Sequence, residues 1–99
     1  MGIDGLWAGT SDGMGNKLEL DLRSRDGKVT GTGRRERGAL GAAVFNVTGT
    51  WKPPRLVLTL HIDERTLPVL ELTATGAERL SGTLTWQGPS VQSMVFVRP

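Results

Sequence analysis

Lys17-Leu18-Glu19-Leu20-Asp21-Leu22-Arg23, followed by Ser24-Arg25-Asp26-Gly27-Lys28-Val29-Thr30-Gly31-Thr32-Gly33, is the stretch that decides the fold. Leu18, Leu20 and Leu22 alternate with Glu19, Asp21 and Arg23, a period of two that lays leucine on one face of a strand and charge on the other. Asp26-Gly27 then supplies two residues that accept the positive φ required at both centres of a tight hairpin turn. Pairing Arg25 with Lys28 across that turn sets Leu22 opposite Gly31 and Leu20 opposite Gly33, so the faces agree with the register. The return strand, Lys28–Arg35, carries Val29, Gly31, Gly33 and Arg35 on its inward parity.

The same pattern runs outward from this hairpin in both directions. Upstream, Gly5–Thr10 reads as a strand with Gly5, Trp7 and Gly9 on one face, joined by the loop 11–16. Downstream, Glu36–Ala43 is a longer connection, with a helical turn expected over Ala39–Ala43. Val44–Trp51 alternates Phe45, Val47, Gly49 and Trp51 inward, and Lys52-Pro53-Pro54 ends it because proline donates nothing to a ladder. Leu56, Leu58, Leu60 and Ile62 form the inner face of a fifth strand. A three-residue turn, Asp63-Glu64-Arg65, leads to a sixth over Thr66–Thr75, pairing Leu58 with Leu70 and Leu56 with Leu72. Leu80, Gly82, Leu84 and Trp86 line a seventh. With Gly88-Pro89-Ser90 as the last turn, Phe96 covers Gly82 and Met94 meets Leu84; a turn of two residues would instead face Val91, Ser93, Val95 and Val97 inward. Val29-Thr30-Gly31-Thr32, Val47-Thr48-Gly49-Thr50 and Leu80-Ser81-Gly82-Thr83 repeat a glycine on the inner face, where a small sheet needs to bend in order to close. The expected architecture is all-β: a closed, antiparallel, eight-stranded up-and-down barrel occupying residues 1–99 as a single domain.

Gly5-Leu6-Trp7 on the opening strand, with Arg98 at the end of the closing strand, resembles the calycin-like barrels: the lipocalins, avidins and fatty-acid-binding proteins. The resemblance implies a basic residue of the last strand packed on the first-strand tryptophan. It also implies a small, mostly apolar or amphiphilic ligand inside the barrel. The chain is much shorter than a typical lipocalin and lacks the further lipocalin motifs, so no ligand-contacting residue carries over.

Composition narrows the chemistry. The 99 residues carry a net charge of +2 and no cysteine, so disulfides, thiolate metal sites and cysteine nucleophiles are excluded, and no strong field for anionic polymers is implied. His61, the one histidine, falls on an outer parity beside Thr59. Asp63 and Glu64 are adjacent in a turn and point apart, unlike a general acid–base pair. Metal-ligand and dinucleotide spacings are missing. The expectation is a protein that is not an enzyme and carries no cofactor. Asn46-Val47-Thr48 fits a glycosylation sequon, but no secretory leader is recognisable, and Leu6 stands where a myristoylation motif wants serine or threonine. No apolar run is long enough to span a bilayer. A cytoplasmic protein is the default expectation.

Strand direction sorts the residues by barrel end. Leu18, Arg35, Phe45, Ile62 and Trp86 share the end that carries the long loops, the expected mouth. Trp7, Val29, Trp51, Leu80 and Arg98 share the other. Three functional readings follow. In the first, Arg35 holds the anionic head of an amphiphile whose apolar part meets Leu18, Phe45, Ile62 and Trp86, with inward glycines leaving it room. In the second, leucines fill the interior and the domain acts as an assembly module through its outer surface, Leu6, Ala8, Val95 and Val97 forming a homodimer patch across the closing seam. In the third, the cluster Arg23, Arg25, Lys28, Arg34, Arg35 and Arg37 serves a single nucleic-acid strand on an OB-like barrel. Asp21, Asp26 and Glu36 interrupt that cluster, and inward aromatics leave no stacking platform, so nucleic acid is the least expected partner.

Overall fold

A computed structural model describes residues 2–11, 17–36, 42–65, 67–85 and 91–98. Eight strands follow one another: β1 (Gly5–Ser11), β2 (Lys17–Arg25), β3 (Lys28–Glu36), β4 (Ala42–Lys52), β5 (Arg55–His61), β6 (Val69–Gly76), β7 (Arg79–Thr85) and β8 (Val91–Val97). Each pairs antiparallel with the next, and β8 returns to β1 to close the barrel. Among the described residues there is no helix, and hence none long and apolar enough to cross a membrane.

The hairpin that decides the fold has the register its side chains dictate: Leu22 opposite Gly31, Leu20 opposite Gly33 and Arg25 opposite Lys28. Asp26 and Gly27 take φ of 52° and 79°, the pair of positive values that lets a two-residue turn follow the twist of its strands. Leu20, Leu22, Leu56, Leu58, Leu60, Leu70, Leu72, Leu80 and Leu84 converge with Val29, Val47, Met94 and Phe96 in one buried cluster. Burial of such side chains, each contributing about 1.5–3 kcal/mol relative to exposure, is what holds so short a chain closed.

Three details differ from the sequence expectation. Ala42 and Ala43 belong to β4, opposite Glu36 and Arg35; pairing with β3 overrides the local helical preference of alanine. The β5–β6 connection is longer than three residues, because pairing stops at Thr59 opposite Val69. Pro68 has no N–H to continue the ladder, although its carbonyl still accepts the Leu60 N–H at 2.9 Å. The third difference lies in β8. Gln92, Met94 and Phe96 keep the inward parity, but the strand sits two residues away from the expected register, with Leu80 opposite Phe96, Gly82 opposite Met94 and Leu84 opposite Gln92.

The β8 register has a steric cause on its other side. Phe96 lies opposite Gly9 of β1, and a Cβ on Gly9 would come within 2.2 Å of the Phe96 ring. The aromatic that covers a bare glycine therefore covers Gly9, not Gly82. Phe45 does the same over Gly33, where a Cβ would also lie 2.2 Å from its ring. Both phenylalanines fill space that a side chain on the neighbouring strand would otherwise take.

Candidate functional site

The closed end is built around Trp7, which is 2% exposed. Gly2, Ile3 and Asp4 fold beneath the barrel ahead of β1, and Ile3 enters the core. The Trp7 Nε1–H donates to the Ile3 carbonyl at 2.8 Å. Arg98 lies over the indole with its guanidinium carbon 4.3 Å from the ring centroid, well inside cation–π range. Its Nη1 and Nη2 donate to the carbonyls of Asp4 and Gly2 at 2.9 and 3.0 Å. One side chain thus holds both ends of the chain together. Gly5 makes the arrangement possible: its φ is +109°, a value L side chains rarely adopt, and a Cβ there would stand 3.3 Å from Arg98 Nη1. The glycine of Gly5-Leu6-Trp7 is explained by that turn from plug segment to strand. Arg98→Ala should lower stability by about 1–2 kcal/mol, since it removes a cation–π contact and two charge-assisted bonds at a half-exposed position; urea midpoints identical to wild type would contradict it.

Asp4 ties the plug to the wall. Its Oδ1 accepts the Ser24 N–H at 2.8 Å and the Ser24 hydroxyl at 2.7 Å. Those bonds, the hydroxyl's first, hold its pKa below the ordinary 3.8, with smaller help from Arg23 and Arg98. A depressed carboxylate contributes stability that is present above its unfolded pKa and lost as pH falls through the folded one. Asp4→Asn should accordingly flatten part of the acid limb of the stability curve below about pH 4. An acid limb unchanged in the variant would show that Asp4 does not contribute.

At the opposite end Leu18, Arg35, Leu60, Ile62, Leu84, Gln92 and Met94 line a cleft with about 10 Å³ of free volume, the space of about one water. Leu18 and Phe45 are buried, and Ile62 is half-buried against the core. Arg35 is half-buried at the rim, opposite Leu18 on one side and Ala43 on the other. The structure brings Leu18, Arg35 and Ile62 together; Phe45 is turned to Gly33 and does not line the cleft. Trp86 lies outside the described residues. Gln92 and Met94 are lining residues the sequence did not single out, because they follow from the β8 register.

The inward glycines do not leave room. A Cβ on Gly31, Gly49 or Gly82 would meet the carbonyl oxygen of Asp21, Val57 or Glu71 at 2.0, 2.0 and 1.8 Å. Each glycine sits opposite a leucine: Leu22, Leu58 and Leu72 respectively. The space of the absent side chain is taken by the partner backbone, so the repeated glycine serves close approach of strands in β2–β3, β4–β5 and β6–β7. At the closed end a void of about 30 Å³ borders Ile3, Trp7, Trp51 and Leu80, room for one or two waters at most.

No protein-family model, curated protein or solved structure matches this chain.

On the outer wall, β1 and β8 pair only over Ala8–Ser11 and Met94–Val97. Leu6 and Val97 are 56% and 43% exposed, with Ala8 and Val95 half-buried beside them. The arginine-rich run is divided by the fold. Arg23, Arg25 and Lys28 gather on the outer wall near the closed end, whereas Arg34 and Arg35 lie near the mouth, on opposite faces of β3. Arg37 lies outside the described residues. A contact the sequence did not announce joins Thr48 Oγ1 to His61 Nε2 at 2.7 Å. A hydroxyl on an imidazole is the first half of a nucleophile–base pair; here both groups are exposed on the outer wall.

Proposed function

We propose that this chain is a non-catalytic barrel that acts through its outer surface, associating with a second copy across the β1–β8 seam. The observation that carries the reading is the filled interior. Leucines, valines and aromatics occupy the described lumen, and the mouth leaves space for about one water, against the few hundred Å³ that pockets for small organic ligands usually provide. What remains for recognition is the wall. Leu6 and Val97 are exposed on it, with Ala8 and Val95 packed alongside. A two-fold axis through such a patch sets it against its own copy, which is the geometry of an isologous dimer. Val95→Lys, which places a charge on the outer face without touching the core, should convert a dimer to a monomer in sedimentation. A wild-type protein that stays monomeric at high concentration would dispose of the reading.

A second reading has one observation in its favour. The mouth cleft is apolar except for Arg35 and Gln92 at its edge, a lining suited to a small amphiphile with an anionic head outermost. The calycin-like resemblance points the same way and is supported by Arg98 lying on Trp7. The two readings part on whether the interior admits a guest.

A further inference from the structure

Beside the Asp26-Gly27 turn, the outer wall carries an open groove of about 570 Å³, lined by Asp4, Arg23, Ser24, Arg25, Asp26, Lys28 and Thr30. Arg25 and Lys28 are directly opposite each other in the ladder, and Arg23 lies two residues back on the same face, opposite Thr30. Like charges placed opposite each other across a hairpin cost stability, and neither Arg25 nor Lys28 has an ion-pair partner among the described residues. The barrel does not need them there: the register is already set by the leucines and the turn. Of the two carboxylates, Asp4 is turned to Ser24, whose N–H and hydroxyl both bind its Oδ1. Three cations against two carboxylates leave the groove positive.

We propose that this groove binds a small phosphomonoester. Arg23 and Arg25, whose Cα atoms are about 6–7 Å apart along one strand, can each offer a planar fork to phosphate oxygens, with Lys28 as a compact charge and the Thr30 hydroxyl as a further donor. The groove is of the size that takes a small organic molecule as well as its phosphate. A nucleic-acid strand needs aromatic faces on which bases stack. Among the described residues, Trp7 is buried beneath Arg98, Trp51 is half-buried against the core and Phe45 and Phe96 are buried, so these residues offer phosphate recognition on the outer wall without a stacking platform. The site is separate from the seam and goes beyond the association proposed above.

The test is a ¹H–¹⁵N NMR titration with glycerol phosphate, alongside inorganic phosphate, glycerol, and sodium chloride at matched ionic strength. The expected result is a saturable shift at amides of residues 23–30 with glycerol phosphate, absent with glycerol and with chloride. The double variant Arg25→Gln/Lys28→Gln should weaken binding by about tenfold or more. Its melting temperature should be equal to wild type or higher, because it relieves the opposed charges. Val95→Lys should leave the binding unchanged. No saturable shift, equal shifts with chloride, or wild-type affinity in the double variant would overturn the proposal. A single-stranded oligonucleotide that saturates the same amides at far lower concentration would overturn the assignment to a small ester.

Discussion

Trp7→Ala should lower the free energy of unfolding by about 3–5 kcal/mol, the cost of emptying a fully buried aromatic site. The site has little means of collapsing. Arg98 is held over the ring by carbonyls of Gly2 and Asp4, and Ile3 is fixed by the Trp7 Nε1–H itself. Loss of the indole therefore removes packing, a buried hydrogen bond and the platform for the guanidinium at once. Total stabilities of domains are usually about 5–15 kcal/mol, so a loss of this size removes a large share of what holds the chain folded. Trp7→Phe, which keeps an aromatic face but removes the donor to Ile3, should lose clearly less. Urea unfolding by circular dichroism measures both. A loss below about 1 kcal/mol for Trp7→Ala would mean that the plug and seam are peripheral to the fold.

Gly82→Ala should be comparably damaging, although it adds a single methyl group. The new Cβ would stand 1.8 Å from the Glu71 carbonyl oxygen and 2.9 Å from the Leu72 Cα, both backbone. Backbone in a closed barrel cannot step aside as a side chain can, so the loss should reach about 3 kcal/mol, the upper range for overpacking. Gly31→Ala and Gly49→Ala meet carbonyl oxygens at 2.0 Å and should behave alike. Gly76→Ala is the internal control, since nothing lies within 4 Å of the Cβ it would add; its thermal midpoint should stay near wild type. Equal midpoints for Gly82→Ala and Gly76→Ala would show that the strands do not approach as closely as described.

Leu18, Leu20 and Leu22 with Asp26-Gly27 state both face and register, because a period of two and a two-residue turn leave no freedom between them. Leu56 and Leu58 find Leu72 and Leu70 for the same reason. The β8 register was not legible from β7 alone: it is set by the Phe96 ring lying over Gly9, a partner far away in sequence. The roles of Ile3 and Asp4 were hidden too, since a three-residue plug has no period, and the carbonyls that Arg98 binds belong to the backbone. Glycine was the subtlest case. Its recurrence in Val-Thr-Gly-Thr and Leu-Ser-Gly-Thr was visible, and so was its inward parity. Whether the missing side chain left a void or admitted a neighbouring strand depends on strand curvature, which alternation does not encode. The mouth residues Leu18, Arg35 and Ile62 were legible from parity; the narrowness of the cleft between them was not.

Action through the outer surface requires a barrel that is full. Xenon enters dry apolar cavities and leaves filled cores alone, so methyl-resolved NMR under xenon pressure addresses it directly. The inward methyls of Leu18, Leu58, Leu60, Leu70 and Leu84 should show only small, linear shifts with pressure, as solvent-level contact gives. Saturable shifts of those methyls would mean a guest-sized space inside the barrel, and would contradict the account.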